Sequence, residues 1–252
     1  MSNGLVDQVR LATLPEGIGP YLVGDQFSSG RSFRWTAPRR CMDRLSLLES
    51  LVEGKRVIHL GFADHLEVIP GKRADGSWLH ERLMARSERC AGVDLNQTTV
   101  DWIRSELGIK DVYVCDLLAE GLPGELQDES WDLVVMGELI EHLPDPIGFL
   151  SAIRRAVPNA ALLVTAPNAW NIEVVRRVLA RSEVINTDHQ TWYSPFTLAK
   201  QLTRAGYQVN GWAPCTSFHL PARRIVARTV ARCFPLMRPG LVMLASEAVP
   251  GG

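Results

Sequence analysis

The chain has 252 residues, 46% of them apolar and 22% charged, with a formal net charge of −1 and a pI near 6.6. That length suits one α/β domain with additions, and the even charge balance excludes the global basic footprint that nucleic acid or an anionic membrane calls for. No stretch approaches the roughly 20 apolar residues of a bilayer span.

Asp7, Glu16 and Asp25 interrupt the first thirty residues, so no secretory leader is expected. Cys41, Cys90, Cys115, Cys215 and Cys233 are scattered, odd in number and hold no C-x-x-C pair. Reduced thiols in a cytoplasm are therefore expected, rather than disulfides or zinc.

Residues 1–38 show little period and many Gly and Pro, which reads as an irregular arm or lid before a domain over 39–252. Leu45, Leu48, Leu51 and Val52 predict a helix from Arg39 to Glu53, ended by Gly54. Arg56–Leu60 is a short apolar strand stopped by Gly61, and a loop with Pro70, Gly71 and Gly76 leads to a helix over Ser77–Glu88. Cys90–Leu95 and Val112–Cys115 predict two more strands around a helix at Thr98–Leu107. Trp131–Met136 is the fourth strand, Pro146–Ala156 a helix and Ala160–Thr165 the fifth strand. Helices over Glu173–Ala180 and Pro195–Ala205 follow, then strands near Tyr207–Trp212 and Leu241–Ala245. Between these last two, Pro221–Cys233 reads as an apolar helix carrying Arg223, Arg224, Arg228 and Arg232. Strands alternating with helices imply right-handed crossovers, hence a Rossmann-like, doubly wound, seven-stranded, mostly parallel sheet with helices on both faces.

In such a sheet ligands bind at the carboxyl ends of the strands, and each early strand here ends in a candidate group. His59 and Gly61 close the first, where a glycine lets backbone approach a ligand; as a G-x-G-x-x-G fingerprint this stretch fails. Asp94, followed by Leu95, ends the second and suits the vicinal hydroxyls of a ribose. Asp116, followed by Leu117, ends the third and suits an exocyclic amino group; a cap or turn role is the alternative. After the fourth comes Gly137-Glu138-Leu139-Ile140-Glu141-His142-Leu143. Two carboxylates and an imidazole there suit a divalent ion, or a base with its orienting acids, or a helix N-terminus with acids favoured by its dipole.

This ordered set resembles class I S-adenosylmethionine-dependent methyltransferases, over residues from about 55 to 247. Within that class, H-L-G-x-x-D-H at His59–His65, G-S-W-L-H at Gly76–His80, G-E-L-I-E-H-L at Gly137–Leu143 and D-H-x-x-W-Y-S at Asp188–Ser194 resemble methyltransferases of glycan and natural-product gene clusters. His59 departs from the broader class, which places an acid there for the methionine amino group. The resemblance implies cofactor contacts at His59, Gly61, Asp94, Leu95, Asp116, Leu117 and Gly137.

E-x-x-E-H followed by a later D-H also resembles the small-RNA 3′-terminal 2′-O-methyltransferases and the ubiquinone-pathway O-methyltransferases. In the former, such residues hold Mg²⁺ on the two hydroxyls of a ribose. Carried over, that implies a Mg²⁺ or Mn²⁺ site at Glu138, Glu141, His142 and His189. Glu138, His142 and His189 are then the catalytic candidates, with either histidine as plain base if no metal binds. The acceptor so implied is a hydroxyl of a sugar or sugar-bearing metabolite; an RNA 3′ end is the alternative, disfavoured by the net charge of −1.

Trp78, Trp170, Trp192 and Tyr193 suit either a core or a sugar-binding face, and His219 has no assigned role. The arginines of 223–232 read as a solvated face, or as contacts for an acidic polymer or a second subunit of a homodimer.

Overall fold

The first strand does what its sequence demands: Arg56–Leu60 (β1) is buried from Val57 onward and pairs in parallel with β2 (Arg89–Asp94) on one side and β4 (Leu133–Gly137) on the other. This computed structural model describes residues 11–38, 42–216 and 225–248, with the backbone alone at 225–228. With β3 (Val112–Val114), β5 (Ala161–Pro167), β6 (Tyr207–Cys215) and β7 (Gly240–Glu247), the strands form one seven-stranded sheet in the order β3-β2-β1-β4-β5-β7-β6. β7 runs antiparallel to both neighbours and the other pairings are parallel, so the expected mostly parallel, doubly wound sheet is what forms. Strand order reverses between β1 and β4, and a crevice at that switch point is where α/β sheets bind ligands.

The helices are α1 (Gly19–Val23), α2 (Arg44–Val52), α3 (Ile69–Ala74), α4 (Leu79–Met84), α5 (Gln97–Leu107), α6 (Gly124–Gln127), α7 (Pro146–Ala156), α8 (Ile172–Leu179), α9 (Pro195–Arg204) and α10 (Ile225–Cys233). Leu45, Leu48 and Leu51 of α2 pack with Leu79 and Leu83 of α4 against Val57, Leu133 and Val135 on one face of the sheet. Leu150 and Ile153 of α7, with Leu198 and Leu202 of α9, cover Ile58, Val134 and Val164 on the other. Each such fully buried aliphatic side chain stabilises the fold by about 1.5–3 kcal/mol.

Several expected bounds move, most of all in the first two expected helices. The helix expected from Arg39 begins at Arg44, because Asp43 caps it, its carboxylate accepting from the Ser46 N–H at 2.9 Å; residues 39–41 lie outside the described residues. The helix expected over 77–88 is shorter, Leu79–Met84, and the preceding loop holds α3. Pro70 sits in the first turn of α3, where a missing N–H costs nothing, and Gly76 at φ +69° separates the two helices.

Of the segment expected as an arm over 1–38, residues 11–38 are irregular apart from α1, yet anchored. Ala12 forms a β-bridge with Trp212, Trp35 meets the Trp212 ring edge-on at 5.0 Å, and Ile18 and Leu22 are buried in the core shared with α9. Arg238, wholly buried, donates to the carbonyls of Pro38, Pro214 and Ala231 at 3.1–3.2 Å, tying the end of this arm to β6 and α10. In the Arg-rich segment the helix spans Ile225–Cys233 and Arg232 is exposed; Arg223, Arg224, the Arg228 side chain and His219 lie outside the described residues. No helix among the described residues is long and apolar enough to cross a membrane.

Candidate active site

At the carboxyl end of β1 the chain turns through Gly61 in the left-handed region, φ +66°. A Cβ there would lie 2.9 Å from Leu139 Cδ1, so the glycine serves both the turn and the close approach of the β4 loop. Asp94, ending β2, ties this turn to its own: one carboxylate oxygen accepts from the Ala63 N–H at 3.1 Å, the other from the Asn96 N–H at 2.9 Å. Burial raises its pKa, with the backbone bonds opposing. A carboxylate has about four lone-pair sites, so Asp94 retains acceptor capacity for a pair of hydroxyls. Leu95 beside it is exposed.

Asp116 takes the turn role: its Oδ1 accepts from the N–H groups of Leu118 at 2.9 Å and Ala119 at 3.2 Å, while Leu117 is buried.

His59 does not reach the crevice as a charge. It is buried beneath it, with Nδ1 3.2 Å from Nδ1 of His80, and its pKa is held well below the usual imidazole value by burial first, then by His80 and Arg44. Gly137 at the end of β4 is required because a Cβ would collide with Leu79.

The cation at this edge is one the motifs did not mark. Arg44 of α2 reaches Glu138, with Nη2 3.5 Å from Oε2. Its place in the first turn of a leucine-rich helix offers no local signal of that reach. A guanidinium here suits the carboxylate of an amino-acid-bearing cofactor.

The four residues of the expected metal set separate into three and one. Glu138 has φ +57°, its N–H donating to Thr165 O at 3.2 Å and Oγ1 at 3.0 Å, and its carboxylate points to Arg44. The next residues form a 3-10 turn, Ile140–His142, instead of the start of a helix, and this turn carries Glu141 and His142 toward the loop that bears His189. Glu141, His142 and His189 each offer a ligand atom within 4.8 Å of the others, and Glu138 is outside that group.

The two segments are stitched together by backbone bonds. Gln190 N–H donates to Glu141 O at 2.8 Å, Thr191 N–H to the same carbonyl at 3.3 Å, and Gln190 Nε2 to His142 O at 3.0 Å.

Within the group, Glu141 is 1% exposed, neither carboxylate oxygen has a hydrogen-bond partner among the described residues, and His189 Nε2 stands 3.9 Å from Oε1. Burial pushes its pKa up to about 8, with Glu138 adding repulsion. His189 is lowered by burial and by His142, so its ring is neutral with a lone pair to offer. The His142 and His189 rings meet edge-on, centroids 4.8 Å apart, and His142 Nδ1 lies 3.2 Å from Asp188 O. Donation from Nδ1–H to that carbonyl leaves Nε2 free as ligand or base. Asp188 also reaches back to the loop after β1, its Oδ2 3.3 Å from His65 Nε2. The aromatic candidates divide cleanly: Trp78 and Tyr193 are core, Trp170 and Trp192 exposed.

The sheet order, the glycine turn after β1, the acid after β2 and the polar turn after β4 define the architecture of class I methyltransferases. The chain belongs to the methyltransferase domain family, a family of S-adenosylmethionine-dependent enzymes, whose model matches residues 33–210. It is similar to a ubiquinone biosynthesis O-methyltransferase of Hahella chejuensis, 30% identical over 120 residues, a stretch covering 44% of this chain and half of that protein's length. A protein of the same name from Idiomarina loihiensis is 26% identical over 173 residues, 61% of this chain and 70% of the relative. Two solved structures share the fold. A putative methyltransferase of Bacillus halodurans has a TM-score of 0.51 at 15% identity, covering 82% of this chain and 99% of that one. A small RNA methyltransferase has a TM-score of 0.54 at 13% identity, covering 81% of this chain and 25% of that one.

Proposed function

We propose that this methyltransferase moves the methyl group of S-adenosylmethionine to a hydroxyl of a saccharide or sugar-bearing small molecule, at a site where Glu141, His142 and His189 hold a divalent ion. The observation that carries the reading is the Glu141 carboxylate, buried without a partner for either oxygen beside two imidazoles. An unpaired buried carboxylate is strongly unfavourable, and a divalent cation offsets that cost. Two nitrogen ligands suit Mn²⁺ as well as Mg²⁺, which prefers oxygen. The relatives named for ubiquinone biosynthesis support O-methylation of a small molecule, and the glycan-cluster motifs support a sugar. The net charge of −1 weighs against an RNA 3′ end.

When bound, the cofactor supplies an already activated methyl group, and a divalent ion beside the acceptor lowers its hydroxyl pKa. The acceptor oxygen forms a C–O bond as the C–S bond breaks, S-adenosylhomocysteine is released, and the hydroxyl proton leaves to a base. With the ion held by both rings that base would be water; without it, His142, oriented by the Asp188 carbonyl, and His189, its pKa lowered by burial, are the groups placed to receive the proton. Asp94 would hold the ribose hydroxyls, Arg44 would meet the cofactor carboxylate, and Gly61 would let the backbone come close.

Labelled-methyl transfer to a panel of glycans and small glycosides, with and without EDTA, tests this. EDTA should abolish turnover and added Mg²⁺ or Mn²⁺ restore it, while calorimetry shows S-adenosylhomocysteine binding unchanged. Full activity in EDTA would refute the ion and leave a histidine as sole base. Absence of cofactor binding would end the reading altogether.

A further inference from the structure

Beside the Glu141–His142–His189 group lies a cavity of about 620 Å³. One wall is α8, the other the segment that runs from Ser182 to Trp192. Ala169, Val174, Val178, Val184 and Trp192 present apolar surface to it, and Glu173, a polar group of the wall, is paired with Arg176 at 2.9 Å. Trp192 belongs to the cavity and to the chemistry at once. Its ring lies edge-on to His189 with centroids 6.2 Å apart, and His189 in turn meets His142. Ala169 is joined to the same segment, its N–H donating to Tyr193 O at 2.8 Å.

The surroundings are unusually apolar for a surface. α8 buries none of its residues, and Val178, Leu179, Val184, Ile185 and Trp192 are all exposed, Leu179 by 80%. Apolar side chains gathered around one concavity mark a place where a ligand is buried. The volume falls within the roughly 300–1,000 Å³ of small-molecule sites. Asn171, Arg177, Ser182 and Glu183 also line the cavity and can meet a hydroxyl, but most of its surface is apolar, and a free oligosaccharide would leave that part without a partner.

We propose that the acceptor is amphipathic: its hydroxyl goes to the Glu141–His142–His189 group, and an apolar ring or chain attached to it lies in the cavity between α8 and residues 182–192. This rests on the methyl-transfer reading above and narrows the acceptor to a hydroxyl compound, such as a glycoside, with an apolar body. An alkyl chain and an aromatic ring share the chemistry the cavity recognises, and the experiment separates them.

The test is calorimetric titration of the full chain, loaded with S-adenosylhomocysteine, with methyl, octyl and phenyl β-D-glucoside, the octyl compound kept below its micellar concentration. Labelled-methyl transfer to the same three compounds is measured alongside. Each fully buried methylene strengthens binding about threefold to fourfold, so partial burial should make the octyl or phenyl compound at least about 30-fold tighter than the methyl compound. Preference for octyl assigns a chain and preference for phenyl a ring system; either supports the proposal. Val178→Asp, on the cavity wall, should erase the preference while leaving S-adenosylhomocysteine affinity unchanged. Equal binding of all three, no binding of any, or a preference that survives Val178→Asp would overturn it. Methyl transfer to none of them, with the binding preference intact, would count against the sugar acceptor and not against the cavity.

Discussion

Acidification should destabilise this protein through His80, and the amount follows from the structure. The side chain is wholly buried between the rings of Phe62 and Trp78, centroids 4.6 and 5.6 Å away, with Nδ1 3.2 Å from His59 and Nε2 unpartnered. Burial lowers its pKa from 6.5 to about 3. An unfolded imidazole takes up a proton as the pH falls through about 6.5, whereas the folded one waits until about 3. The unfolded state thus binds more protons throughout that window, and stability falls as the pH falls. Between pH 7.5 and pH 5.0 the linkage amounts to about 2 kcal/mol for this one group.

His59 is shifted in the same direction, and Glu141, pushed up to about 8, acts in the opposite one. Glu141 is untouched when His80 alone is replaced, and His59 keeps burial, the largest cause of its shift, so the informative quantity is a difference. Urea unfolding of the protein and of His80→Leu, each at the two pH values in EDTA, should show the variant losing about 2 kcal/mol less than the parent on acidification. An identical pH dependence in the two proteins would refute the argument, whatever the absolute stabilities.

Other substitutions test the crevice. A Cβ at residue 92 would lie 2.7 Å from the Phe62 ring and 3.0 Å from His80, so Gly92→Ala should destabilise by about 1–3 kcal/mol in urea melts; a neutral result would mean the core beneath β2 yields freely. Asp94→Ala removes acceptors for two backbone N–H groups and for the ribose, and calorimetry should find S-adenosylhomocysteine bound about 10- to 100-fold more weakly. Glu141→Gln keeps the shape but removes the charge. Its turnover should fall by about 100-fold or more and respond little to added Mn²⁺, while cofactor affinity holds; near-parental turnover would remove the ion from the reaction.

The sheet was legible because each parallel strand is a short apolar run with a glycine or a polar residue at its end or within two positions after it, and α7 was read to its last residue because Asp145-Pro146 starts it and its apolar positions keep the helical period. Three short helices escaped: α1 lies in the Gly- and Pro-rich arm, α3 hides behind Pro70 and Gly71, and α6 spans only four residues. Glu138 stands apart from the other three expected ligands for a backbone reason. A left-handed glutamate has no mark in the sequence, since that conformation belongs by default to glycine and asparagine. Once turned, its carboxylate meets Arg44, a partner 94 positions earlier that no local pattern could propose. The cavity was equally illegible: α8 reads as an ordinary amphipathic helix, and only the fold shows that its apolar side faces a concavity.

Residues 186–193 explain why chemistry and acceptor fit are coupled here. One short stretch provides the Asp188 carbonyl that orients His142, the His189 ring beside Glu141, the Gln190 and Thr191 bonds that hold the 3-10 turn, and the Trp192 wall of the cavity. A change within it disturbs a proton acceptor and an apolar contact together, because the backbone bonds transmit any displacement to the Glu141 turn. The α8 wall, and Val184 ahead of this stretch, have no such tie. Val174, Val178 and Val184 line the cavity without touching the histidines through any hydrogen bond described. Acceptor range is therefore expected to shift by substitution along α8 and at Val184 with the catalytic group intact, whereas substitutions at 188–192 should lower turnover on every acceptor alike. Measuring kcat and KM separately for Val174→Ala and Gln190→Ala distinguishes these cases: the first should raise KM for apolar acceptors at constant kcat, the second should lower kcat throughout. A Gln190→Ala variant with parental kcat would break the coupling argued here.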